Sequence, residues 1–131
     1  MAAVLLEFFV PRSVLAQVRP PSPACPFGEF HTYFDPVGLA PSACFEAITA
    51  PDGSFAVTNL LAAARASHMQ VHLGLAYAEH IYNDTDAGFA AFSTFQQQLV
   101  RHLWGLYKDY GTGTDPVWVG IYTDIEVLVA R

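Results

Sequence analysis

The sequence predicts an α/β fold built on a parallel sheet. Two helix patterns each lead into a short, almost wholly apolar strand: residues 54–68 precede 70–75, and residues 89–110 precede 117–126. Strands buried on both faces are nearly continuously hydrophobic, and strands that alternate with helices pair in parallel. Ligands lie at the carboxyl ends of such strands, so polar residues that follow a strand are the first site candidates.

The amino-terminal segment from Val4 to Val10 predicts a buried first strand. A secretory signal is the alternative, because Val14-Leu15-Ala16 resembles a cleavage site. No basic segment precedes the apolar run, however, and Glu7 interrupts it, which favours the strand. A charge inside an apolar run must be paired or lie at the mouth of a sheet, so Glu7 is a candidate site carboxylate.

The next segments divide the chain within one domain. Four prolines in residues 20–26 predict a loop, so residues 1–29 are assigned as the first strand plus a Pro-rich loop. Residues 30–131 hold the β/α units. The alternation in residues 29–34 predicts a second strand, and residues 36–53 have the composition of irregular structure.

The long second helix has the strongest pattern. Asp84, Thr85 and Asp86 are suited to capping its first turn, and Gly111 to ending it. Its predicted apolar stripe recurs at helical spacing, with Gln96 outside it: Phe92, Phe95, Leu99, Leu103, Leu106 and Tyr110. The loop of residues 76–86 before it follows a strand, which is the ligand-facing position in parallel folds.

Charge and composition exclude several functions. A net charge of −6 with only six Lys and Arg argues against a nucleic-acid surface, and no apolar run reaches the roughly 18 residues that span a bilayer. No dinucleotide or phosphate-loop motif follows a strand, so no cofactor is expected. Two cysteines without neighbouring ligands predict no metal site.

Two features favour a secreted or luminal location weakly. Cys25 and Cys44 would pair across a loop if the protein is secreted, and Asn83-Asp84-Thr85 is a glycosylation sequon on a predicted loop.

Three motifs resemble a family of glycoside-hydrolase-like β/α barrels that is catalogued as a domain of unknown function. Residues 60–64, Leu-Leu-Ala-Ala-Ala by sequence, lead into residues 68–75 in the way that the family's helix leads into its strand. Gly120-Ile121-Tyr122 followed by Glu126 is similar to a later strand, and residues 32–36 more loosely to an earlier one. His68 stands where the family often has glycine.

The resemblance implies a partial (β/α) barrel with about four parallel strands and two helices, taken from a protein that acts on or binds carbohydrate. Glu126 would hold the acid/base position, while Tyr33, Tyr77 and Tyr122 would line a sugar-stacking cleft. Retaining glycosidases need two carboxylates about 5 Å apart, and the family's nucleophile comes from a later strand. The chain is therefore expected to be a fragment that is inactive alone.

Other readings stay open. His72, in the middle of a strand, is a substrate-binding candidate, although a hydrogen-bonded core histidine is the commoner case. Glu79 and His80 are candidates for metal or substrate, although a solvated loop is the better expectation.

The alternative function is a small non-enzymatic α/β module that binds a ligand or partner through residues 76–86. A half barrel would also self-associate through its uncovered sheet edges.

Overall fold

Five strands and two helices make up the part of the chain that the computed structural model describes, residues 14–123. In chain order these elements are β1 (Leu15–Arg19), β2 (Glu29–Thr32), β3 (Phe45–Ala47), α1 (Ala56–Ala66), β4 (Val71–Gly74), α2 (Asp86–Gly111) and β5 (Trp118–Tyr122). Two 3-10 helices lie between them, at Ser42–Cys44 and Glu79–Asn83.

The predicted partial barrel with about four parallel strands is wrong. The strands form two separate sheets: β1-β2-β3, in which β1 and β2 are antiparallel and β2 and β3 parallel, and the parallel pair β4-β5. The connection between β1 and β2 explains the antiparallel pair. Ser22 and Cys25 exchange two backbone hydrogen bonds of 3.0 and 3.1 Å, which turn the chain back without the long crossover that a parallel pair needs.

Strand positions agree with the pattern only in part. The predicted strands at residues 29–34, 70–75 and 117 onward correspond to β2, β4 and β5. In contrast, β1 lies where no strand was expected, and β3 lies in the segment predicted to be irregular. The predicted first strand, with Glu7, lies outside the described residues.

The end of α1 forms a Schellman motif. Met69 donates its N–H to the Ala64 carbonyl at 2.9 Å, and His68 donates to the Arg65 carbonyl at 3.3 Å. His68 therefore takes the left-handed conformation, with φ of 54°. Glycine is favoured at this position because it carries no Cβ, so His68 is a locally unfavourable residue that the motif tolerates.

The start of α2 confirms the predicted cap. Thr85 is the N-cap, and its hydroxyl accepts a hydrogen bond from the Gly88 N–H at 3.1 Å. The buried face differs from the predicted stripe at its end: Leu106 is exposed, whereas Tyr107 is buried. Gln96, expected off the stripe, is also buried.

One hydrophobic core joins the two sheets through α2. Near the β1–β3 sheet it contains a cluster of phenylalanine rings whose centroids lie between 5.3 and 6.3 Å apart: Phe27, Phe30, Phe45, Phe92 and Phe95. A disulfide between Cys25 and Cys44 ties the Pro-rich segment to the start of β3. The second half of α2 meets β5, where Trp104 lies against Trp118 at 5.5 Å.

Within residues 14–123, no helix combines the length and the apolar character needed to cross a membrane.

Candidate functional site

A groove of about 490 Å³ runs between the end of β1 and the loop that follows β4. One wall comes from residues 17–21 and the other from Glu79 and His80. The volume falls in the range of about 300–1,000 Å³ that is usual for small-molecule sites. The groove therefore brings the Pro-rich segment together with the loop of residues 76–86.

The β1 wall is held by Gln17. Its side-chain amide donates to the Phe27 carbonyl at 3.1 Å and to the Arg19 carbonyl at 3.3 Å. Gly28 makes this approach sterically feasible, since its φ is 103° and a Cβ there would lie 2.6 Å from the Arg19 carbonyl oxygen. The neighbouring register shift between Gln17 and Arg19 bends the strand end, where Pro20 and Pro21 follow.

The opposite wall is held by Gln96, a buried residue of α2. Its Nε2 donates to the Ala76 carbonyl at 2.6 Å, and its Oε1 accepts from the Ala76 N–H at 3.2 Å. These two bonds satisfy a buried backbone unit that belongs to no strand or helix. The chain then enters the 3-10 helix that carries Glu79 and His80, so Gln96 positions the wall without lining it.

The charges of the groove are balanced. Arg19 and Glu79 bring one charge of each sign, and both side chains are exposed. Arg19 also lies 3.4 Å from Glu29, but an exposed ion pair of this kind contributes little and leaves the guanidinium able to rearrange. Val18, Pro20 and Pro21 add apolar surface between these charges.

His80 contributes an unusual atom. Its Nδ1 is buried without a hydrogen-bond partner among the described residues. An unsatisfied buried nitrogen costs about 1–3 kcal/mol. A polar group would recover part of that cost only after the His80 ring turned, because the nitrogen itself is closed to solvent.

Two predicted site residues share the outer face of the β4-β5 sheet. His72 pairs with Gly120, and Gly74 with Tyr122, so His72 and Tyr122 are diagonal neighbours. His72 is exposed rather than in the core, and a Cβ on Gly120 would lie 2.6 Å from its ring. Tyr122 is 56% exposed. This face is separate from the groove lining.

The remaining predicted residues are dispersed. Tyr33 packs against the core, and its carbonyl accepts a hydrogen bond from Val57 at 3.0 Å. Tyr77 is half-buried in the loop after β4. Glu7 and Glu126 lie outside the described residues, so their assigned roles stay predictions. No group of three His, Cys, Asp or Glu side chains between residues 14 and 123 is arranged to hold a metal ion.

Sequence reasoning missed Gln17, Arg19 and Gln96. The helical spacing contains the signal for Gln96, because positions 92, 95, 96, 99 and 103 share one face of a helix. Nothing local marks Gln17 and Arg19, which acquire their place only when β1 pairs with β2.

No protein-family model, curated protein or solved structure matches this chain. The fold and the groove define a small disulfide-containing α/β protein, and its function must be argued from the geometry.

Proposed function

We propose that this chain is a non-enzymatic α/β module that binds a neutral carbohydrate in the groove between residues 17–21 and the Glu79–His80 wall. The observation that carries the proposal is the groove itself, an open site of about 490 Å³ with polar groups on both walls and apolar surface between them. A site of this size suits one or two sugar rings.

The balance of charge favours a neutral ligand. A phosphate would be repelled by Glu79, and a polycation by Arg19, because each wall carries one sign of charge. Sugar hydroxyls both donate and accept hydrogen bonds, so they fit a guanidinium, a carboxylate and an imidazole at once. The C–H faces of a sugar ring would lie on Val18, Pro20 and Pro21.

The number of carboxylates in the groove favours binding without hydrolysis. Of the side chains that line the groove in the described structure, Glu79 is the one carboxylate. Glycoside hydrolysis commonly requires a pair. The choice of carbohydrate as the ligand class comes from the sequence resemblance described above.

Saturation-transfer NMR with cellobiose, maltose, lactose and chitobiose tests the proposal. At least one disaccharide should give saturation transfer, and the Kd obtained from its titration should rise at least tenfold in Arg19→Ala and in His80→Ala, which corresponds to about 1.4 kcal/mol. His68→Ala, which changes an exposed histidine that does not line the groove, is the matched control. No transfer with any of the four sugars, or transfer unchanged in both groove variants, would contradict the proposal.

Gln96→Leu tests the positioning of the loop wall. It removes both bonds to Ala76, so we expect weaker sugar binding although residue 96 does not line the groove. Gln97→Leu changes the exposed neighbour and should bind as the wild type does. Equal affinity in the two variants would show that Gln96 does not hold the wall.

A second candidate function is self-association through β5. This strand pairs with β4 alone among the described strands, and it leaves Val119 and Ile121 at 37% and 43% exposure. Trp104, 45% exposed, adds apolar surface beside it. Open strand edges with apolar side chains pair readily with a second copy.

Sedimentation velocity over a concentration series tests this second candidate. The wild type should show a concentration-dependent dimer, and Ile121→Lys should shift the protein to monomer because it places a charge on the edge strand. Val37→Lys, at an exposed valine outside the sheets, should leave the dimer intact. A wild type that stays monomeric throughout would exclude the interface.

A further inference from the structure

The chain's one N-glycosylation sequon, Asn83-Asp84-Thr85, lies at the junction between two helices. Asn83 is the last residue of the 3-10 helix, and Thr85 immediately precedes α2. Asp84 and Thr85 have extended backbone conformations, with ψ of 169° and 163°. Because the next two residues are already extended, a glycosylating enzyme has to open only the last turn of the 3-10 helix.

The surroundings of the sequon are open to solvent. Asp84, Thr85, Asp86 and Ala87 are all exposed. A bulky glycan requires such a surface position, because it cannot be accommodated in a packed core.

An independent observation points to the compartment where glycans are attached. Cys25 and Cys44 are joined by a disulfide, and both residues are buried. Structural disulfides form in the oxidising secretory route and are rare in reducing compartments. The sequon and the disulfide lie in different parts of the chain, and glycan attachment and disulfide formation take place in the same compartment.

We propose that Asn83 is a site of N-linked glycosylation. The amide nitrogen of Asn83 attacks the anomeric carbon of a lipid-pyrophosphate-linked oligosaccharide. The bond between that carbon and the pyrophosphate oxygen breaks as the new carbon–nitrogen bond forms. The amide loses one proton, and the lipid pyrophosphate departs as the leaving group.

Thr85 also has a structural role, and the test must distinguish that role from glycosylation. Its hydroxyl caps α2 by accepting from the Gly88 N–H at 3.1 Å, which by itself accounts for a threonine here. Thr85→Asp keeps an excellent N-cap but destroys the sequon. Thr85→Ser keeps both functions, and Asn83→Gln removes only the acceptor amide.

The experiment expresses the full chain behind a secretory leader in a eukaryotic cell line and measures intact mass. The wild type and Thr85→Ser should carry a glycan that peptide-N-glycosidase removes, leaving an aspartate in place of Asn83. Asn83→Gln and Thr85→Asp should have the mass of the bare chain. Thiol alkylation of the same samples reports whether Cys25 and Cys44 are oxidised, which proves passage through the oxidising compartment.

Two results would overturn the proposal. One is a secreted wild type whose disulfide is formed but whose mass shows no glycan. The other is a glycan that persists in Asn83→Gln, since the sequence contains no second sequon. Circular dichroism should show that the Thr85→Asp protein retains its helices. The missing glycan in that variant then results from the loss of the sequon and not from a loss of structure.

Discussion

The β1–β3 sheet packs against a cluster of phenylalanine rings, whereas the β4-β5 sheet leaves its outer strand exposed. Phe30 of the first sheet is 1% exposed and stacks on Phe95 of α2 at 5.9 Å. In the second sheet Ile121 and Tyr122 are 43% and 56% exposed. The first sheet is also cross-linked at its end by the Cys25–Cys44 disulfide.

This difference bears on stability and on the proposed self-association. Buried aromatic area and a covalent cross-link stabilise the first sheet, so its strand end is a rigid support for the groove. The second sheet has exposed apolar side chains along β5, so substitutions there should cost less, and β5 is the strand that the proposed self-association would use. The groove depends on both sheets through its two walls, whereas the proposed interface lies on β5 of the second sheet.

The largest predicted effect is on the first sheet. Phe30→Ala should destabilise the protein by about 3–5 kcal/mol, because it leaves a cavity within the ring cluster. Ile121→Ala on the second sheet should cost less than about 1 kcal/mol, because the side chain is already partly in water. Urea unfolding of both variants measures the difference, and equal losses would remove the contrast between the sheets.

The cross-link should give the next largest effect. Replacing Cys25 and Cys44 by alanine should lower the free energy of unfolding by about 3 kcal/mol, as expected for a loop of this order of length. The disulfide closes a separation of 19 residues. The midpoint of thermal unfolding should fall in the double variant and should then no longer respond to dithiothreitol. A wild type whose midpoint stays unchanged after mass spectrometry shows both thiols reduced would mean that the bond contributes nothing.

The smallest effect concerns the contact between α1 and α2. Tyr107 of α2 shares a hydrogen bond of 3.0 Å with Thr58 of α1, and burial raises the pKa of its phenol despite that bond. Tyr107→Phe should cost about 1 kcal/mol at neutral pH.

The raised pKa also gives a pH dependence with a definite sign. The folded state holds the Tyr107 proton more tightly than the unfolded state does, so this contribution to stability is complete below about pH 10 and declines as the pH rises through the raised pKa. Urea unfolding from pH 9 to 11.5 should therefore show a shallower alkaline decline in Tyr107→Phe than in the wild type (the range spans about the usual tyrosine pKa). Identical slopes would contradict this assignment.

Local periodicity predicted the helices and the parallel β4-β5 pair because their patterns are contained within each element. The apolar repeat of α2 and the cap at Thr85 are properties of a few neighbouring residues. The strands β1 and β3 were missed for the opposite reason. Their short segments become strands only by pairing with β2, which the sequence of neither segment reveals.

Of the candidate site, the sequence predicted only where one wall of the groove would lie. The loop after β4 was expected to face a ligand, and it does line the groove through Glu79 and His80. Its other wall comes from residues 17–21, which are remote in sequence and comprise the end of β1 and the first two prolines of the predicted loop. Only the antiparallel turn at Ser22 and Cys25 brings the β1 end to that place.

The hydrogen bonds between Gln96 and Ala76 have a consequence for the order of folding. The Ala76 amide belongs to neither a helix nor a strand, yet its partner lies 20 residues away in the interior of α2. Its exchange with deuterium should therefore follow the detachment of α2 and not the local motion of a loop. The groove is complete only after the long helix has docked, so substitutions in that helix can change ligand affinity from within the core.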